Sequence, residues 1–196
     1  MQQINPQLRI IKDEVLSCTK CPLYKTRIFP VIGQGNHQAS IVLVGEAPGF
    51  NENKTGRPFC GQAGAVLDEL LEFAEIKRED IYICNILKCR PPGNRNPLQY
   101  EIDACTPYLV RQLEIIKPKI VCCLGNFASC FIMNLFGLSN QCDGISKIHG
   151  RVFEVNDDKW KIKIIPLYHP AVAAYNQNMI ESLKNDFKIL KDGKLK

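Results

Sequence analysis

No stretch of this 196-residue chain approaches the roughly 20 consecutive apolar residues that a membrane-spanning helix requires, so membrane contact is not expected. Met1 to Ser17 is polar and charged, and it lacks the apolar run and small-residue cleavage site of an export signal. The expected compartment is therefore the reducing cytoplasm. Linkers rich in proline, glycine or serine, internal repeats and low-complexity tracts are absent as well, which argues for one domain over residues 1–196. Charge of one sign is scarcely in excess. With 25 Lys and Arg against 20 Asp and Glu, the balance of +5 permits a polyanionic partner without demanding one. The 45% hydrophobic and 23% charged content is ordinary for a globular enzyme.

Cysteine, by contrast, is abundant, with ten in the chain. Without an export signal, clustered cysteines favour metal binding or redox chemistry over structural crosslinks. Cys18 and Cys21 form a CxxC pair, in which one short loop can aim two sulfurs at one ion or cluster, and Cys89 and Cys105 complete a four-thiolate set. Spacing alone leaves structural zinc and a four-iron four-sulfur cluster equally open. The other six, Cys60, Cys84, Cys122, Cys123, Cys130 and Cys142, lie mostly in apolar settings and read as small hydrophobes.

Four β-branched runs read as strands, at 40–45, 81–87, 120–125 and 161–167. Helical spacing of apolar residues marks 62–75 and 97–116 between the first three, then 126–136, with flanking helices at 5–17 and 179–190. Residues 138–150 read as a loop. The alternation predicts an α/β fold, a single-domain three-layer α/β/α sandwich with a mainly parallel four-stranded central sheet.

Ligands of an open parallel sheet bind at the carboxyl ends of its strands, and three of the four expected ends carry reactive or polar side chains. The first leads into Glu46, Ala47, Pro48, Gly49, Glu52 and Phe59. The second carries Asn85, Lys88, Cys89, Arg90, Asn94 and Arg95, and the fourth leads into His169. Glycines around Phe59 suit a loop that approaches a ligand before a helix begins near Gln62, leaving amide donors beside an anion. Taken singly, these residues have plainer readings: turn glycines, a core phenylalanine, a polar strand end, a satisfied histidine. Their convergence is what points to a pocket for a planar heterocycle, made of an aromatic face, an amide and an imidazole. Lys88, Arg90 and Arg95 are candidates for phosphate contact, the alternative for each being a solvated surface charge. Lys161 and Lys163, alternating on one strand face, read as solvent-facing.

The chain resembles the iron-sulfur, or family 4, uracil-DNA glycosylases. The resemblance rests on Gly45-Glu46-Ala47-Pro48-Gly49, on 56–64 around Phe59, on Asn85 to Pro97, and on Cys105, Leu124-Gly125 and Tyr168-His169-Pro170, in matching order from about residue 18 to 190. It implies hydrolysis of the N-glycosidic bond of uracil in DNA, single- or double-stranded, by a monomer that flips the nucleotide out of the stack. On matching positions, Phe59 stacks on the uracil ring and Asn85 reads its edge, while Ala47 and Asn94 belong to the base pocket. Glu52 excludes a 5-methyl group. His169 faces O2 as charge develops there, and Glu46 positions or activates water. The resemblance also implies that Cys18, Cys21, Cys89 and Cys105 hold a 4Fe-4S cluster rather than zinc. One departure stands out. Many relatives carry an arginine six residues after the histidine, in a loop that presses into DNA, whereas this chain has Tyr175, which can stack but cannot make arginine's charged contact. The alternative function is a noncatalytic iron-sulfur DNA-binding subunit, which would have no need of this pocket.

Overall fold

The structure, a computed structural model, describes residues 5–191. Six strands form one mixed sheet: β1 (Gln34–Gly35), β2 (Ile41–Gly45), β3 (Tyr82–Asn85), β4 (Ile120–Leu124), β5 (Phe153–Asn156) and β6 (Lys161–Leu167), in the order β1-β3-β2-β4-β6-β5. The four inner strands are mutually parallel, and β1 and β5 close the edges antiparallel. The expectation of four strands is thereby corrected to six. The inner four are nearly continuous apolar runs because both faces are covered. The two edges left no such signal. β1 is only Gln34-Gly35, and β5 alternates buried Phe153 and Val155 with exposed Glu154 and Asn156 in a charged stretch.

Helices cover both faces. On one side α1 (Pro6–Leu16) packs against α4 (Gln99–Ile116), beside α5 (Asn126–Leu135) and the short α6 (Ile145–Ile148), all on the Val42, Val44, Val121 and Ile164 side chains. α6 and a 3-10 turn at Ser139–Gln141 occupy the segment expected to be loop. On the opposite face α3 (Gln62–Phe73) packs against α7 (Ala171–Tyr175) and α8 (Ile180–Lys191) over Leu43, Ile83, Cys122 and Leu167. The first helix of the chain after β2, α2 (Phe50–Thr55), lies at the strand ends. Buried alternate positions of each inner strand thus feed two separate cores.

Two cysteine expectations change. Cys130 on α5 is disulfide-bonded to Cys142, 12 residues on, because the chain after α5 doubles back beside it. Cys60 is exposed, 3.1 Å from the Thr55 hydroxyl, rather than in an apolar setting. Cys84, Cys122 and Cys123 are buried among the strands. No helix among the described residues is long and apolar enough to cross a membrane.

Candidate active site

β2 lies between β3 and β4, so the chain leaves its carboxyl end toward one flank and later occupies the other. Crevices form at such a point. Here a pocket of about 430 Å³ is lined by Glu46, Ala47, Glu52, Phe59, Asn85, Asn94, Arg95 and His169, among others. Residues from the ends of β2, β3 and β6, far apart in the chain, meet there.

The Phe59 ring forms one wall, its centroid 5.7 Å from that of His169 and tilted 30° to it. Its backbone has φ 48°, the left-handed region that a non-glycine residue enters at a cost, so the surroundings must hold it. They do so from both sides. The guanidinium of Arg78 donates to the carbonyls of Pro58 and Phe59, at 2.7 and 3.1 Å, while its other arm pairs with Asp68. The Glu52 carboxylate accepts from the Cys60 and Gly61 amides at 3.0 and 3.2 Å. Two amide donors just before α3, those of Cys60 and Gly61, are therefore taken up by Glu52. Gly64 closes the arrangement, since a Cβ there would lie 2.1 Å from the Phe59 carbonyl oxygen.

Asn85 is buried at the end of β3, in register with Gly45 on β2. A Cβ on Gly45 would stand 2.4 Å from Asn85 Oδ1 and 2.9 Å from Phe59 Cζ, so a bare backbone lets both groups approach the same space. Behind Asn85, the Lys88 ammonium donates to the Asn85 carbonyl at 2.8 Å and to Gln112 Oε1 at 2.7 Å, and Gln112 donates on to the Tyr82 hydroxyl at 3.0 Å. Lys88 is 2% exposed. Its expected contact with DNA phosphate is corrected: the ammonium faces inward and fastens β3 to α4. Nothing in the sequence around Lys88 distinguishes it from a surface lysine. Arg95 is also committed, gripping Glu101 through both nitrogens at 2.6 and 2.9 Å. Glu101 accepts the Leu98 amide as well, so Arg95 shapes the pocket rim by anchoring the start of α4. Arg90 donates through Nε to Asn94 Oδ1 at 2.6 Å, and its guanidinium lies over the Phe50 ring. Asn94 itself adopts φ 55°.

His169 follows β6. Its Nδ1 accepts the Ala171 amide at 3.1 Å, which leaves the ring proton of the neutral form on Nε2. Burial pushes its pKa below the ordinary value, against a smaller pull from the Glu52 charge, so the ring is neutral near pH 7. Burial raises the Glu46 carboxyl above its ordinary value. Tyr175, 87% exposed, ends the helix that begins at pocket residue Ala171.

A second cavity is lined by all four cysteines of the expected metal set, Cys18, Cys21, Cys89 and Cys105, with Arg27, Lys88 and Tyr108 around them. Arg27 approaches Cys89 Sγ at 3.4 Å, and the Lys88 amide donates to Cys105 Sγ at 3.3 Å. N–H donors aimed at sulfur suit thiolate ligands. Burial raises the thiols of Cys21, Cys89 and Cys105, the last to about 11, so metal binding there must displace protons. Among the described residues no three His, Cys, Asp or Glu side chains form a group set to hold a metal ion. The four thiols line one cavity.

Comparison with known proteins gives concordant matches. The model of the uracil DNA glycosylase superfamily matches residues 32–191. The type-4 uracil-DNA glycosylase of Archaeoglobus fulgidus is 49% identical over 180 residues, covering 91% of this chain and 88% of that protein. Those of Sulfurisphaera tokodaii and Thermotoga maritima are each 43% identical, covering 94% and 87% of this chain and 84% and 85% of theirs.

Proposed function

The chain belongs to the uracil DNA glycosylase superfamily, and we propose that it excises uracil from DNA by hydrolysing the N-glycosidic bond, leaving an abasic site for base excision repair. The observation that carries this reading is the meeting of the Phe59 ring, the Asn85 amide and the His169 imidazole in one pocket of about 430 Å³, within the ordinary range of ligand sites. A noncatalytic DNA-binding subunit would have no use for it.

Uracil enters by flipping, at a cost of roughly a few kcal/mol that is least in single strands and mismatches. Its ring lies against Phe59. Among the described residues no protein group hydrogen-bonds the Asn85 side chain, leaving its oxygen to accept from uracil N3–H and its NH2 to donate to O4. Cytosine presents the opposite pattern and would strand buried polar groups, which such a site penalises heavily. As the bond breaks, charge grows on uracil O2 and the sugar becomes oxocarbenium-like. The Nε2–H of neutral His169 serves as the fixed donor to that oxygen, with Nδ1 anchored by Ala171. Glu46 orients the attacking water. Glu52, braced by two amides, stands as a rigid wall against a 5-methyl group, and Ala47 and Asn94 complete the enclosure.

The four-cysteine cavity fits a 4Fe-4S cluster, with Cys18, Cys21, Cys89 and Cys105 as ligands. When bound, the group supplies a structural tie between the loop after α1 and the segment that leads into the pocket rim at Pro91. The same four thiolates could hold a structural zinc, and it is the likeness to type-4 relatives that favours the cluster. On the DNA side Arg90 meets phosphate, and Tyr175 stacks in the gap left by the flipped base. The protein acts as a one-domain monomer on genomic DNA within the cell.

The test is incubation with oligonucleotides carrying one uracil, single-stranded or opposite guanine or adenine, beside thymine controls, followed by alkaline scission. Uracil-dependent scission is expected. Its absence with metal-loaded protein across salt and temperature would overturn the reading.

A further inference from the structure

The pocket accounts for the flipped base but not for Phe50, which follows pocket residue Gly49 and opens α2 with 52% of its surface exposed. A lone exposed aromatic is ordinary. This one has two cations over it: Lys54 Nζ lies 4.2 Å from the ring centroid and Arg90 Cζ 5.4 Å. Arg90 is in turn oriented by Asn94, which also lines the pocket. The ring and its cations are therefore tied to the pocket through both Gly49 and Asn94.

We propose that Phe50 is a stacking seat for the nucleobase adjoining the flipped uracil in single-stranded DNA, with Arg90 and Lys54 moving off the ring to the phosphates on either side of that base. The proposal rests on the glycosylase reading and extends it. When a nucleotide leaves the stack, each neighbour loses a stacking partner, and an aromatic face set beside the exit restores one. Stacking on an aromatic side chain tolerates any sequence because every base has a π face. Cations flanking such a ring match the alternation of base and phosphate along a single strand. In a duplex the adjoining base stays paired and stacked, so the seat favours single-stranded substrate.

Two measurements test this. Single-stranded oligonucleotides carry a non-cleavable 2′-fluoro-deoxyuridine with 2-aminopurine on its 5′ or its 3′ side. Binding of wild-type protein quenches 2-aminopurine on one side, and Phe50→Ala abolishes that quenching; no quenching on either side overturns the proposal. In single-turnover cleavage of the uracil strand, Phe50→Ala raises the half-saturating enzyme concentration by roughly 5- to 100-fold. Phe50→Trp restores it and Phe50→Leu does not. Arg90→Gln keeps the ring and lowers the salt slope of binding by about 1. Full rescue by Phe50→Leu would mean a plain apolar contact and also overturns the seat. If wild-type protein quenches the probe but cleaves no uracil, the glycosylase reading fails and the seat survives.

Discussion

Replacing Gly45 with alanine adds one methyl group where two pocket walls nearly touch. The new Cβ would lie 2.4 Å from Asn85 Oδ1, whereas ordinary contact begins at 3.4 Å, so the amide must retreat by 3.4 − 2.4 = 1.0 Å; Phe59 Cζ, at 2.9 Å, must also give way. A misplacement of about 1 Å in a positioned group costs on the order of 10²-fold in rate. With both the edge-reading amide and the stacking ring displaced, single-turnover cleavage of uracil DNA should fall about 10²- to 10³-fold. The fold itself should hold, because Gly45 sits in a strand with no left-handed φ and alanine is tolerated there. The assay pairs the single-turnover rate with thermal melting on the same preparation. A cooperatively folded Gly45→Ala protein with a rate within a few-fold of wild type would refute the claim that this bare backbone sets the pocket.

Other expectations follow from the same geometry. His169→Ala should lower single-turnover rate by about 10²- to 10³-fold with smaller loss of DNA binding; equal rates would remove its role at O2. Because burial lowers the His169 pKa, the unfolded chain takes up a proton near pH 6.5 before the folded one does, so stability should decline as pH falls below about 6.5 while the rate shows no inflection there. The acid limb of the rate should instead lie above 4.5, where buried Glu46 gains its proton, and Glu46→Gln should abolish that limb. Lys88→Met strands the Asn85 carbonyl and Gln112 Oε1, at about 1–3 kcal/mol for each acceptor, measurable by denaturant titration, without changing the salt slope of DNA binding. Anaerobically purified protein should contain iron and acid-labile sulfide in equal amounts, both lost in Cys105→Ser; zinc alone would refute the cluster.

The four inner strands and five longer helices were legible in the sequence because each buries an apolar run or stripe whose period announces itself. The edges β1 and β5 were not, since two residues or one half-buried face leave too little pattern. At the site, Glu46, Phe59, Asn85 and His169 could be picked out because strand ends in this architecture face the ligand. What could not be read was where long charged side chains go. Lys88 looked like its neighbour Arg90, yet one turns inward to Gln112, 24 residues on, and the other remains at the rim. Arg78, which grips the Pro58 and Phe59 carbonyls, stands in an exposed-looking Lys-Arg-Glu-Asp run and gave no sign of its role. The Cys130–Cys142 bridge escaped for a related reason: spacing tells which cysteines can meet, and only the turn after α5 tells that they do.

The placement of β3 and β6 on opposite flanks of β2 and β4 separates two tasks. On the proposed reading, the uracil edge is met from the β3 flank, through Asn85 and its Lys88 support, and the departing charge from the β6 flank, through His169. Mutations on one flank need not disturb the other. If that division holds, a designer seeking a new lesion specificity should begin at Asn85 and at the Glu52 and Phe59 segment after β2, leaving the histidine and its anchoring amide untouched.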